Sequence, residues 1–324
     1  MDRLSPIDQK VLGFVSLNGI NVSEREIAKK LRLSQATVNY SLKKLEEKKI
    51  IKGYLFRLNY DAIGFGAGAW VFFVLHRQCI DLDAFIKKIS EFPEIQLLAA
   101  VNGEYDFCIR VVGKSAHSLF DSIMEIEKAI APLIEHTTIV LISKTFKSHQ
   151  IILPEKPDGK KLDDISRKIL SYRIDNPKSS IGELCSALKI HRNTAIKKWR
   201  ELFERGIILK KGVILSPEAA EQLGIGFKAM VFFNVAPDKK GAFSEAIVSY
   251  PEVHELFSVA GHHDFLAIVR TKDQRELFNF HQNLLCNPLF SNSVHKTISR
   301  VILFTKNINY DPKKIIENNR HNSD

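Results

Sequence analysis

Leu31-Arg32-Leu33-Ser34-Gln35-Ala36-Thr37-Val38 and Leu188-Lys189-Ile190-His191-Arg192-Asn193-Thr194-Ala195 are one motif written twice in a single chain. Each begins with an apolar-basic-apolar step and leads into a segment of helical spacing. Val38, Leu42 and Leu45 share one face in the first copy, and Ala195, Trp199 and Leu202 in the second. Ser34 has the side chain of a helix N-cap. Upstream, Ser5-Pro6 reads as a cap followed by a first-turn proline, opening a helix with Ile7, Val11, Leu12 and Val15 as its apolar stripe. Asn18-Gly19 ends that helix. Ser23-Glu24-Arg25-Glu26 then reads as a capping box for a short helix with Ile27 and Leu31 inward. In the second copy Ile165, Ile169 and Leu170 belong to the first helix, and Ser180-Ile181-Gly182-Glu183 is the capping box. Two short capped helices with a three- or four-residue turn between them, the second basic, predict a helix-turn-helix.

Working outward, the repeat continues. Leu45 and Ile50-Ile51 return as Leu202 and Ile207-Ile208, an offset of 157. Val71-Phe72-Phe73 returns as Val231-Phe232-Phe233, offset 160. Phe92-Pro93-Glu94-Ile95 matches Tyr250-Pro251-Glu252-Val253, and Val101 to Phe107 matches Val259 to Phe265, both at offset 158. Ordered matches over so long a span identify a duplication. Pro154 to Lys161, rich in Pro, Gly and charge, is the expected linker, and the polar tail after Pro312 is expected to fray.

Between these motifs the periodicity changes. Ala69 to Leu75 reads as a buried strand and Asp81 to Glu91 as a helix with Phe85, Ile86 and Ile89 inward. Ile95 to Val101 and Phe107 to Val112 read as strands. Leu119, Ile123, Ile126 and Ile130 step as a helix, and Thr137 to Phe146 is the last strand. The order β-α-β-β-α-β is the ferredoxin-like unit, and copy two gives the same order with Leu277, Phe280 and Leu284 on its last helix. Such a sheet carries helices on one face only, so its other face needs a second sheet, from the other copy or from another chain. The expected class is α+β, with helix-turn-helix domains at 1–62 and 160–222 and ferredoxin-like domains at 66–153 and 226–310.

Charge follows the same division. The net charge is +10 over 324 residues. Residues 1–60 hold 12 basic and 6 acidic side chains, and residues 160–212 hold 14 and 6, so the two blocks carry more than the whole excess. Two polyanion-binding modules on a mildly acidic scaffold are implied. Cys79, Cys108, Cys185 and Cys286 form no CxxC pair, so reduced thiols are expected and no metal site or cofactor is implied. No apolar run approaches a membrane span and the start has no apolar signal core, which together predict a cytoplasmic protein.

The DNA candidates are Ser34, Gln35, Thr37, Asn39, Tyr40, Lys43 and Lys44 in copy one. In copy two they are His191, Arg192, Asn193, Thr194, Lys197, Lys198 and Arg200. Lys and Arg neutralise phosphates, while Arg, Asn and Gln pair with base edges in the major groove of double-stranded DNA. The plainer alternative is a protein-interaction module with a solvated basic face.

Ile50-Ile51-Lys52-Gly53-Tyr54, the Pro-Glu-Ile/Val step and the Gly-x-x-Asp turns at Gly103–Asp106 and Gly261–Asp264 together make the chain resemble the Lrp/AsnC family of bacterial and archaeal transcription regulators. The resemblance implies a winged-helix reader joined to a βαββαβ effector domain, with amino acids or related metabolites as effectors. It also implies a homo-oligomer built through the sensor sheets. The family's effector pocket near the Gly-x-x-Asp turn points to Gly103, Glu104, Asp106, Gly261, His262 and Asp264. Read from the residues, these glycines and aspartates are turn-formers first. His262-His263, as neighbours in a strand, are poorly placed to share a metal ion. The family usually has one unit per chain and an Arg in mid-recognition helix, where this chain has Ser41 and Lys198. Copy two reads Leu209-Lys210-Lys211-Gly212 after Ile207-Ile208, without the Gly-Tyr of copy one. The rival from another class is a sirohaem decarboxylase-like enzyme on the same duplicated scaffold. That site is expected to group His, Arg and Tyr on the sheet, where Ala99 to Asn102 and Ser258 to Ala260 read as apolar, leaving His262, His263 and Arg110. No catalytic residue is assigned. A DNA-binding protein without sequence preference is a third alternative.

Overall fold

Residues 4–19, 24–76, 81–153 and 162–307 are described here, in a computed structural model. The expected cap at Ser23, the linker, the polar tail and Cys79 lie outside the described residues. The chain divides into two compact units, and neither unit is one of the copies. The first comprises residues 1–59, 162–227 and 271–273; the second comprises 60–161, 228–270 and 274–324. Each unit therefore joins corresponding pieces of both halves.

In the first unit, α1 (Pro6–Asn18), α2 (Glu24–Leu31) and α3 (Gln35–Glu47) lead into β1 (Ile51–Leu58). Val11, Leu12, Val15, Ile27, Leu31, Val38, Leu42 and Leu45 close one core, while Ile7 is left 44% exposed. The helix caps match the sequence: Ser5 accepts from the Asp8 N–H and Ser34 from the Thr37 N–H. Copy two repeats the plan with three helices between Asp164 and Glu204.

In the second unit, β2 (Ala67–Leu75), α4 (Leu82–Ile89), β3 (Ile95–Val101), β4 (Phe107–Gly113), α5 (Ala116–Ile130) and β5 (Ile134–Ser148) form the predicted βαββαβ order, with a short β6 (Ile151–Ile152) after it. The corresponding elements of copy two, in the first unit, are α6 (Asp164–Asp175), α7 (Ile181–Leu188) and α8 (Arg192–Glu204), followed by β7 (Ile208–Leu215) and α9 (Pro217–Gln222). Its sensor part is β8 (Phe227–Val235), α10 (Lys240–Ile247), β9 (Val253–Ala260), β10 (Phe265–Thr271), α11 (Gln274–Cys286), α12 (Pro288–Ser291) and β11 (Val294–Asn307).

The strand order β2-β4-β3-β11-β8-β10-β9-β5, with β5 pairing back to β2, closes eight strands into a ring. Two joints tie the copies, β3 to β11 and β5 to β9, both antiparallel and equivalent by the repeat. The sheet-to-sheet contact expected of a homo-oligomer is thus made within one chain, and closure leaves these strands without a free edge. The apolar run of β2 serves two cores. Ala69, Val71 and Phe73 face α4 and α5, while Trp70 and Phe72 face the ring interior with Phe232, Phe257 and Leu266 of copy two.

The wing of the expected winged helix differs from the reading. Among the described residues no hairpin follows either third helix. Each copy supplies one strand, and β1 pairs antiparallel with β7 of the other copy, Tyr54 opposite Val213. A strand left alone would expose its backbone donors and acceptors, and the partner copy satisfies them. No described helix is long and apolar enough to cross a membrane.

Candidate nucleic-acid interface and effector site

The two third helices are built alike. Arg32 and Lys189 occupy the turns before α3 and α8 in left-handed conformation, φ 56° and 52°. Leu33 N–H donates to the Ala28 carbonyl at 2.9 Å and Ile190 N–H to that of Cys185 at 3.3 Å, so each turn is closed by the same bond. The second capping box forms as expected: Glu183 N–H donates to Ser180 Oγ at 3.2 Å and Ser180 N–H to Glu183 Oε2 at 2.6 Å.

On α3, Ser34, Gln35, Asn39, Tyr40 and Lys43 are exposed, Tyr40 by 71%, and Thr37 is half-buried beneath Ser34. On α8, His191, Arg192, Asn193, Lys197 and Arg200 are exposed and Thr194 is half-buried. Lys44 and Lys198 are placed differently from the other candidates. Lys44 Nζ pairs with Asp8 Oδ2 at 2.6 Å, and Lys198 Nζ pairs with Asp163 Oδ2 and Glu201 Oε2, both at 3.0 Å. Each side chain turns back to the start of its first helix. Ser41, the counterpart of Lys198, is buried and donates to Asp8 Oδ1 at 2.7 Å. The mid-helix position is thus tied to the start of the first helix in both copies, buried at Ser41 and partly exposed at Lys198. Burial pushes the Asp8 carboxyl up, but hydrogen bonds from Lys44, Ser41 and Ser5 outweigh it and hold the group below the usual range. At Asp163 burial is likewise outweighed by the Ser166 N–H and Lys198, which bring the carboxyl down to about 2. Arg32 and Lys189, exposed in the turns before α3 and α8, were not among the candidates; they are the basic residues of the duplicated motif itself.

An open cleft of 690 Å³ in the first unit is lined by residues of both copies, among them Glu46, Tyr54 and Lys178. Lys178 pairs with Glu46 at 2.5 Å, and the ammonium groups of Lys178 and Lys211 lie 4.9 Å from the Tyr54 ring centre.

In the sensor ring, Gly103 and Gly261 occupy the left-handed region, φ 106° and 136°. A side chain at Gly103 would meet Arg300 at 2.9 Å. Asp106 Oδ2 accepts from the Leu75 N–H and Asp264 Oδ2 from the Val235 N–H, both at 2.8 Å, so each aspartate ties its turn to the end of the neighbouring strand. Lys240 adds an ion pair to Asp264 at 2.5 Å. His262 and His263 sit in the turn before β10 and not within a strand. His262 is exposed, while the His263 ring lies 4.9 Å from Phe232 and 2.8 Å from Asn234 Oδ1.

The sequence left Tyr105 and Arg300 out of the candidate set. Arg300 pairs with Glu104, and its guanidinium lies 4.7 Å from the Tyr105 ring and 5.9 Å from Phe232. Phe72, 5.1 Å from Tyr105 and 5.9 Å from Phe232, completes an aromatic bridge between the two turns. Tyr, His and Arg are therefore grouped after all, from residues far apart in the chain; Arg300 and Glu104 are 196 positions apart. Burial, then Lys296, Arg300 and His262, push the His263 imidazole below its ordinary value, with Asp264 opposing. Among the described residues no cluster of His, Cys, Asp and Glu could hold a metal ion.

The Lrp/AsnC ligand binding domain matches residues 69–152 and again 228–304, and a winged helix-turn-helix DNA-binding domain matches residues 4–52. The chain is similar to the HTH-type transcriptional regulator FL11 of Pyrococcus horikoshii. They are 30% identical over 119 residues, which are 37% of this chain and 77% of that regulator. Similarity to the leucine-responsive regulatory protein of Rhizobium meliloti is 29% identity over 124 residues, 38% of this chain and 79% of that protein. Among solved structures, the siroheme decarboxylase NirDL shares the fold at full length. The TM-score is 0.61 at 12% identity, covering 97% of this chain and 99% of that one. With the ligand-binding domain matched in both halves and a DNA-binding domain ahead of the first, the chain belongs to the Lrp/AsnC family of transcription regulators.

Proposed function

We propose that the chain is a sequence-specific transcription regulator in which each copy supplies one helix-turn-helix reader, and in which the ring responds to an amino acid or related small metabolite. The observation that carries this reading is the β1–β7 pairing. It holds α3 and α8 in one unit, each with an exposed face of amide, hydroxyl and basic groups. Such groups suit phosphate and base-edge contacts in duplex DNA. The effector would act near the Gly103–Asp106 and Gly261–Asp264 turns, biasing how rings associate into a larger assembly and so how readers are spaced.

The test is retardation of duplex DNA from the protein's own promoter by the chain with Lys43, Arg192, Lys197 and Arg200 changed to Ala. Weaker binding and a salt slope lower by about one per lost phosphate contact are expected. Unchanged affinity and slope would remove the DNA assignment. Light scattering with a panel of amino acids tests the effector; no change in mass or DNA affinity with any of them counts against it.

One observation favours a second reading, a sirohaem decarboxylase-like enzyme: the full-length likeness in fold to NirDL. The grouping of Tyr105, His263 and Arg300 is compatible with it. Sirohaem added to the purified chain, followed by mass spectrometry, distinguishes the two; loss of carboxyl groups from the tetrapyrrole would establish the enzyme.

A further inference from the structure

The two readers share a frame but not a face. The left-handed turn residue, the turn-closing bond and the bond from the mid-helix position to an aspartate at the start of the first helix are the same in both copies. Equivalent positions can therefore be compared one to one. Gln35 corresponds to Arg192, Ala36 to Asn193, Asn39 to Ile196, Tyr40 to Lys197 and Lys43 to Arg200 at the repeat offset of 157. Thr37 and Thr194 are identical, so they cannot discriminate. Ile196 and the two threonines are half-buried, and the other compared residues are exposed.

The N-terminal part of a recognition helix is the part that meets base edges. There, α3 offers two carboxamides, a methyl group and a phenol ring. A carboxamide presents one donor and one acceptor, the pattern that matches the N6 and N7 edge of adenine, and an apolar side chain suits the thymine methyl. The same part of α8 offers Arg192, Asn193 and Lys197. A guanidinium or ammonium presents donors only, which matches the two acceptors of guanine. The free cations also differ in number. With Lys44 and Lys198 turned inward, the compared face of α3 keeps Lys43, while that of α8 keeps Arg192, Lys197 and Arg200.

We propose that the DNA target of this chain has two unlike half-sites: an A·T half read by α3 and a half containing G·C base pairs read by α8. The operator is then non-palindromic, and one chain occupies it in a single orientation. This rests on the reading of α3 and α8 as DNA readers. It adds the base class of each half and the residues that choose it.

Selection of duplexes from a random library by the full-length chain tests the proposal. The expected motif has an A·T-rich half and a G-containing half. Synthetic palindromes made from either half alone should bind at least about tenfold more weakly, since each mismatched base pair costs a substantial factor. Gln35→Ala with Asn39→Ala should relax preference in the A·T half alone, and Arg192→Ala in the other half alone. A variant of α3 carrying Gln35→Arg, Ala36→Asn and Tyr40→Lys should select a more symmetric motif. A palindromic motif, or both sets of variants relaxing the same half, overturns the proposal while leaving DNA binding intact. Retention of no duplex at all overturns the DNA reading itself, and this inference with it.

Discussion

Two sides of the sensor ring are equivalent by the repeat and differ in chemistry. On one side Arg110 of β4 reaches Glu255 of β9 at 3.0 Å, with side chains 14% and 15% exposed. On the equivalent side the same two positions are Ile268 and Leu97, both packed in the interior cluster. The guanidinium of Arg110 also lies 4.8 Å from the Phe257 ring, and Glu255 Oε1 is 3.6 Å from His149 Nε2. In a ring of two identical copies any pair must occur twice. At these equivalent positions the ring has an ion pair on one side and an apolar pair on the other, so here its copies have become complements. Pairing copy one with copy one would set Arg110 against Leu97, and pairing copy two with copy two would set Glu255 against Ile268. An unpaired charge inside the ring disfavours both wrong assemblies.

The comparison breaks most directly at Glu255. Glu255→Leu leaves Arg110 inside the ring without its acid and should cost about 3 kcal/mol in urea unfolding. Adding Arg110→Ile gives this side the apolar pair of the other and should restore most of that loss. A double variant no more stable than the single one would show that the charge pair is not what separates the two sides.

A smaller difference is expected between the readers. Asp8 is buried and binds Ser5, Ser41 and Lys44, whereas Asp163 is a helix N-cap with its side chain 46% exposed. Asp8→Ala should destabilise by about 2 kcal/mol, because Ser41 and Lys44 lose their acceptor. Asp163→Asn should cost less, at most about 1 kcal/mol, because asparagine keeps the cap and the Lys198 ion pair it gives up is partly exposed. Both carboxyls are held low in the fold, so their contribution is present above the ordinary carboxylate value of 3.8. It is lost as acid protonates the folded state, for Asp163 between about 4 and about 2. A pH series of thermal melts on these variants reads both effects.

The mildest expected effect lies near neutrality. Copy two has His263 and His281 where copy one has Tyr105 and Ile123. Burial is the first cause of the lowered value at both histidines, so each prefers to be neutral in the fold. A group depressed in this way takes up its proton more readily in the unfolded chain. Stability should therefore fall as pH drops below 6.5, the ordinary histidine value. His263→Tyr with His281→Ile should flatten that slope between pH 7 and 5. An unchanged slope would assign the acid sensitivity elsewhere.

Local features were legible in the sequence, and long-range ones were legible only in part. The caps at Ser5, Ser34 and Ser180 and the stripes of α1, α3 and α5 depend on near neighbours, so spacing alone reveals them. Ala69 to Leu75 was readable as a buried strand. That its alternate residues serve two different cores depends on β11 and β9, far away in the chain. The same holds for β1, whose partner is β7 and not a second wing strand. At the candidate sites, exposure of Gln35, Asn39 and Arg192 follows from helical phase. The inward turn of Lys44 and Lys198 depends on carboxylates about 35 residues upstream. Arg300 was hidden for the same reason, since its partners Glu104 and Tyr105 are in the other copy.

The β1–β7 ribbon has a consequence for how the protein titrates on DNA. A regulator assembled from separate subunits comes apart on dilution, and its occupancy then varies with a higher power of its abundance. Here the two strands are covalently tethered, so each meets the other at an effective concentration set by the intervening chain, whatever the cellular dose. On the proposal that α3 and α8 both read DNA, a single molecule brings both helices to a site. Occupancy in a cell with few molecules should therefore follow abundance in direct proportion.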